Sequence, residues 1–156
     1  MKTMKKIILI LTLFVAGYSA FTQVSLSKNS KSKKEILNEQ YASGLFKNAE
    51  GTILDVANEN TAQSYINILD WLPGRVAGLE VYVTRSGIRV PVIRGTVASI
   101  YVNEMRTDAS FLNSLSVNDI AMIKVIKGPF AGAIGNGGGG VIAIYTLKGE
   151  DEEEDE

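Results

Sequence analysis

Apolar and polar residues fall into short blocks along this chain, and the blocks predict an α+β domain. Leu79 to Thr84, Ile88 to Arg94 and Ser99 to Asn103 are rich in β-branched residues and separated by Arg85-Ser86-Gly87 and Gly95-Thr96, so they read as strands. Thr52 to Val56 reads as another. Ile120 to Lys127 reads as a strand whose apolar character is interrupted by Lys124 and Lys127. Val141 to Leu147 is almost unbroken apolar sequence, as expected of a central strand covered on both faces. Pro91 lacks an N–H and favours an edge position or a bulge within its run. The strongest helical pattern begins at Asn60, an N-cap residue with Gln63 at the capping-box spacing. Tyr65, Ile68, Leu69 and Leu72 then recur on one face, and Pro73-Gly74 ends or kinks the helix. Ser116 caps a turn through Asn118 and Asp119, and Gly128-Pro129 stops a strand and starts a brief helix through Ile134. These elements give a small mixed β-sheet with one main helix and short helical turns, in a domain of about 100 residues.

The two ends differ from the body. Lys2, Lys5 and Lys6 precede an apolar run from Ile7 to Ala16, and Ala20-Phe21-Thr22 offers a cleavage site before Gln23. That pattern predicts a signal peptide over 1–22, because the run falls short of the ~20 apolar residues that span a bilayer. Residues 23–50 are polar, with Lys28, Lys31, Lys33 and Lys34 close together, and read as a flexible lead-in. A short helix over Lys33 to Tyr41 would place Ile36, Leu37 and Tyr41 on one face; a basic patch beside a membrane is the functional alternative. Order is expected from Gly51, giving a domain over 51–149. The run 150–156 is wholly acidic and reads as a solvated, disordered tail.

Composition narrows the chemistry. The chain has 156 residues, 16 Lys+Arg, 17 Asp+Glu, no histidine and no cysteine. A catalytic triad, a cysteine nucleophile, a zinc site and a disulfide are therefore all beyond it. No cysteine follows the apolar run to accept a lipid. Removing the three lysines of residues 1–22 leaves 13 positive against 17 negative charges, a net of −4. Seven of those acids form the tail, so the body carries 13 against 10, a mild +3. That balance does not suggest nucleic acid.

Gly135 to Gly140 satisfies the spacing G-x-G-x-x-G. A dinucleotide site needs that spacing between a strand and a helix, and here a strand follows; no Gly-Lys-Ser/Thr occurs either. The glycines are instead expected to form a close turn with positive φ angles. Asp55, Asp70, Glu80, Glu104 and Asp108 are scattered, and nothing in the sequence pairs two of them for acid–base work. Trp71 and Tyr65 read as core or interface residues. No enzyme, cofactor or metal site is expected.

Several strings nevertheless share an order. Leu72-Pro73-Gly74-Arg75-Val76-Ala77-Gly78-Leu79 resembles "LQGRVAGV", Val92-Ile93-Arg94-Gly95 contains "IRG", and Ile100-Tyr101-Val102-Asn103-Glu104 stands where "LYVVDG" is usual. Ser116 to Ile120 with Ile123 to Gly128 is similar to "NPNDIESIEVLKG", and Ala131 to Gly135 with Gly140 to Thr146 is similar to "AAIYGSRGANGVIAITT". In this order the strings resemble the plug domains of TonB-dependent receptors, especially SusC-like outer-membrane transporters, over residues 51–149. Asn103-Glu104 replaces the usual Asp-Gly turn, Pro73 replaces Gln, and the Ser-Arg pair of the glycine loop is absent.

The resemblance implies a module that, in the receptors, blocks the lumen of a β-barrel, binds substrate on its outer side and is rearranged by TonB. A 22-stranded barrel needs roughly 220 residues for its strands. The 134 residues left of 156 after removal of 22 cannot supply them. The expectation is thus a stand-alone plug-like module, exported to the periplasm or outer membrane and acting by protein binding. Its partner would be an outer-membrane or periplasmic protein, such as a β-barrel or a TonB-system component. The alternative is a component or remnant of a split transporter that gates substrate passage. An exposed strand edge, or the loops near Gly87, Thr107 and Gly135, would make the contact, with Arg85, Arg94, Glu104, Arg106 and Asn136 as candidate binding residues.

Overall fold

The computed structural model describes residues 31–135 and 137–148; residues 1–22, expected to be a signal peptide, Asn136 and the acidic run 150–156 lie outside the described residues. The described residues from Lys33 to Lys148 form one compact unit.

Among the described residues, eight strands build two sheets. Strands β1 (Gly51–Asp55), β5 (Ser99–Val102), β6 (Met105–Thr107), β7 (Ile120–Ile126) and β8 (Val141–Thr146) form a five-stranded sheet in the order β1-β7-β8-β5-β6. Strands β2 (Leu79–Val83), β3 (Arg89–Ile93) and β4 (Thr96–Val97) form a three-stranded antiparallel sheet. The near-continuous apolar run of the C-terminal third is β8, the innermost strand, antiparallel to β7 and parallel to β5. Its first five residues are buried. The larger sheet is therefore mixed, and the domain is α+β and consistent with a plug-like fold.

Alternation along β7 and β8 sends side chains to two separate cores. Ile123, Val125, Ile142 and Ile144 pack with Ile68, Leu69, Trp71, Leu72, Val76, Leu112 and Val117 on one face. Met122, Ile126, Val141, Ala143 and Tyr145 pack with Leu37, Ala42, Phe46 and Ala131 on the other. Each fully buried aliphatic side chain contributes roughly 1.5–3 kcal/mol relative to exposure. Ile68, Leu69 and Leu72 of the predicted stripe thus seal against the sheet, while Tyr65 does not.

The helix carrying that stripe is shorter than expected. In place of one helix from Asn60 there is a 3₁₀ turn, Ala62–Ser64, then a break, then helix α3 (Ile68–Trp71). The cap is Asn67, not Asn60. Its buried side chain accepts the Leu69 N–H at 2.9 Å and donates to the Leu112 carbonyl and the Asn113 Oδ1. A side chain committed to those bonds holds its own backbone extended, so the helix begins after it. Ile66 is left 91% exposed and Tyr65 turns outward, while Trp71 is buried and donates its indole N–H to Thr61.

The segment expected to be a flexible lead-in is also structured from Lys33. Helix α1 (Lys33–Tyr41) is the longest in the described residues, and α2 (Gly44–Asn48) follows it. Leu37, Ala42 and Phe46 close the second core, and Lys33 reaches Asp55 of β1 at 2.7 Å. The polar composition conceals this packing because only one or two side chains per turn face the sheet.

Pro91 lies in the middle strand of the small sheet, opposite Val81. Its carbonyl points away from β2 and accepts the Ala98 N–H, and β4 pairs only with Val92 and Ile93. The missing N–H therefore falls where no ladder bond is required. Helix α4 (Pro129–Ile134) follows Gly128 as expected, and Ser116 Oγ accepts the Asn118 N–H.

The glycine segment owes its composition to crowding more than to positive φ. Among its described residues only Gly140 has a positive φ, of 71°. A β-carbon at Gly139 would lie 2.1 Å from the Val97 carbonyl oxygen, and one at Gly135 would lie 2.7 Å from that of Ala131. Backbone packs on backbone there.

Candidate functional site

The candidate residues are spread over the molecule. Arg85 sits in the turn between β2 and β3, and Arg94 follows the far end of β3, about 17 Å away along a five-residue strand. Arg94 lies beside Lys127, where β7 ends and β8 begins; burial first, and the Arg94 charge second, hold the Lys127 ammonium below its ordinary pKa. Glu104 lies at the opposite end of the sheet, beyond the Val102–Ile144 pair. Arg106 stands opposite Tyr101 on the edge strand β6. Asn136 lies outside the described residues. The structure does not bring these side chains into one cluster.

Glu104 is nevertheless built into a junction. Asn103 and Glu104 form the two-residue turn between β5 and β6, with φ of 48° and 66°. Positive φ at both positions is the hairpin geometry that Asn-Gly usually supplies. Glutamate occupies the second position, where its carboxylate accepts the Ser43 N–H and hydroxyl, each at 2.6 Å, and the Tyr145 hydroxyl at 3.2 Å. Burial first, then the Glu104 charge and its hydrogen bond, push the Tyr145 phenol well above its ordinary pKa. Asn103 fixes the other strand, accepting the Thr146 N–H at 3.0 Å. A cleft of about 230 Å³ opens here, lined in part by Tyr41, Ser43, Glu104, Tyr145 and Lys148.

Lys124 completes the junction from beneath. Alternation on β7 points it into the helix-covered face with Met122 and Ile126, and it is 2% exposed. Its ammonium donates to Asn38 Oδ1 at 2.7 Å, the Phe46 carbonyl at 2.6 Å and the Lys47 carbonyl at 3.2 Å. All three donors are used, two of them at the C-terminal end of α2, where a cation is favoured. Burial lowers the Lys124 pKa, and the Glu104 charge opposes that. The sequence signal for this residue is the lysine within an otherwise apolar strand, read there only as an interruption.

The other acids each serve a local bond. Asp70 accepts from Arg89 Nε at 2.6 Å, and Asp108 accepts the Ser110 and Phe111 N–H groups. Glu80 accepts the Tyr82 hydroxyl, and Asp55 accepts from Lys33 and Asn58. Among the described residues no group of three or more acids forms a metal-binding cluster. Two further clefts are present. One of about 340 Å³ is lined by Val90, Pro91, Val97, Arg106 and Asp108, and one of about 370 Å³ by Asn48, Glu50, Lys127 and Phe130. Among the described residues no helix is long and apolar enough to cross a membrane.

No protein-family model matches the chain, and no curated protein is similar to it in sequence. Solved structures are similar to it in fold. The RagAB peptide importer in its "open-open" state superposes with a TM-score of 0.55 at 23% identity, over 68% of this chain and 13% of that one. The RagAB peptide transporter gives a TM-score of 0.52 at 25% identity, over 67% and 13% of the two chains. A ferric enterobactin receptor mutant from Pseudomonas aeruginosa, in complex with enterobactin, gives 0.50 at 23% identity, over 63% and 17%. The chain therefore spans less than a fifth of the length of these proteins and shares the fold of one part of them.

Proposed function

We propose that this chain is an exported, stand-alone plug-like module that acts by protein binding at the outer membrane or in the periplasm, in a system related to TonB-dependent nutrient uptake. The observation that carries the reading is the shared fold: about two thirds of the chain follows one part of a peptide importer and of a ferric enterobactin receptor. The resemblance of the strings between Leu72 and Thr146 to receptor plugs supports it independently. The proposed partner is an outer-membrane or periplasmic protein, such as a β-barrel or a TonB-system component. Arg85, Arg94, Glu104 and Arg106 are proposed contact residues, of which Arg106 lines the 340 Å³ cleft beside β6. The role is non-enzymatic, consistent with acids that are each engaged in a local bond.

The second reading is a component or remnant of a split transporter that gates substrate passage. It is supported by the same similarity of fold to one part of a peptide importer.

One experiment addresses both. The tagged chain, expressed in its native host, is fractionated, sized by immunoblot and captured from detergent-solubilised envelope. Recovery in the envelope with one stoichiometric partner supports the module, and a barrel partner whose nutrient uptake is lost when this chain is deleted supports the split transporter. Residence in the cytosol, or recovery of the bare chain from every envelope fraction, overturns both.

A further inference from the structure

Strand β2 is an edge with a specific set of unused backbone groups. The Arg94 N–H donates to the Gly78 carbonyl and the Thr84 N–H donates to the Ile88 carbonyl, so residues 78, 80, 82 and 84 direct their main-chain groups toward β3. Val81 and Val83 must then direct theirs outward, and no other described strand pairs with β2. Leu79 also faces outward, but its N–H is already bound to the Val76 carbonyl. Tyr82 and Val83 are 56% and 62% exposed on this strand. Such an edge is a template for a further strand.

We infer that β2 pairs antiparallel with β2 of a second copy of this chain, about a two-fold axis through Tyr82. The pattern of available groups selects that register. With Tyr82 opposite its own copy, Val81 of one chain faces Val83 of the other, and all their outward N–H and C=O groups are satisfied in four bonds. A dyad through Val81 would instead place Val83 against Leu79, whose N–H is spent. Charge is compatible as well: Glu80 meets Thr84, Arg85 meets Leu79, and no like charges are opposed. The two tyrosines meet as a non-hydrogen-bonded cross-strand pair, the closer of the two antiparallel geometries, where aromatic pairs are favourable. The pairing does not depend on the proposed envelope partner.

The full chain, exported and purified, is measured by sedimentation across the micromolar to millimolar range. A monomer–dimer equilibrium is expected. Val83→Pro deletes an outward N–H without touching the β2–β3 ladder and should weaken association by roughly tenfold or more. The chain has no cysteine of its own, so Tyr82→Cys provides a direct test. Mild oxidation should cross-link it to itself much faster than Thr84→Cys, which faces Glu80. A monomer at every concentration overturns the inference. So does a dimer indifferent to Val83→Pro, equal cross-linking at the two positions, or cross-linking of Cys-substituted position 82 to a different envelope protein in preference to its own copy.

Discussion

On one face of the five-stranded sheet, Ile142 and Ile144 meet Ile68, Leu69 and Leu72 in an apolar layer. On the other, Lys124 and Glu104 reach across to helices α1 and α2, with a smaller set of apolar contacts around Phe46. Dispersion and burial on the first face are non-directional and survive small shifts. The polar links on the second depend on a few atoms at defined distances, and each can be removed separately. The difference teaches where the domain's global stability resides and where a segment is held by specific ties.

The largest effect should come from the apolar face. Leu72→Ala leaves a cavity in a fully buried site and should destabilise the domain by about 2–5 kcal/mol, read from urea unfolding. If the loss is below about 1 kcal/mol, this face is not the principal core.

A middle-sized and local effect is expected from Lys124→Met. The substitution keeps length and apolar stem but strands the Asn38, Phe46 and Lys47 acceptors, at about 1–3 kcal/mol. Hydrogen exchange should rise over residues 33–48 while β7 and β8 stay protected. Titration sharpens the same point. Burial places the folded-state pKa of Lys124 below the ordinary 10.5, so the unfolded chain binds more protons in the window below 10.5. Stability in the parent should therefore rise with pH through that window. Tyr145 acts oppositely: its raised pKa makes stability fall once the pH passes the ordinary tyrosine value of 10.0. In Lys124→Met the rise should shrink to the part that Lys127 contributes, and the fall should remain. An unchanged pH profile would show that Lys124 is not desolvated in solution.

The smallest effect belongs to Glu104→Gly. Glycine relieves the positive φ, while Ser43 loses its acceptor, so global stability should move by no more than about 1 kcal/mol. Faster exchange of the Ser43 amide should accompany it. An unaltered Ser43 amide would mean that the carboxylate does not hold the α1–α2 segment.

The contrast between the faces also explains what was legible in the sequence. Long apolar runs declare themselves, so the sequence pattern alone puts β8 at the centre and the Ile68–Leu72 stripe against it. Proline and glycine marked α4 and the strand ends for the same local reason. Tertiary hydrogen bonds leave no such periodicity. Nothing near Asn67 announces its bonds to Leu112 and Asn113, which break the helix expected from Asn60. Helices α1 and α2 bury too few apolar residues to stand out from a polar stretch. Lys124 was visible only as a flaw in a strand, and its acceptors lie far away in sequence. Arg85, Arg94 and Glu104 stand in turns and Arg106 on the edge strand β6, and the fold distributes them over separate ends and edges because the connecting strands run lengthwise between them.

At Gly139 the main chain lies bare against Val97 of the small sheet. At that point the glycine-rich turn and the small sheet meet in a seam of main chain against main chain, and a single methyl group there would act as a wedge. Side-chain diversity is closed to that seam, and whatever variation the surface tolerates must be carried by its neighbours.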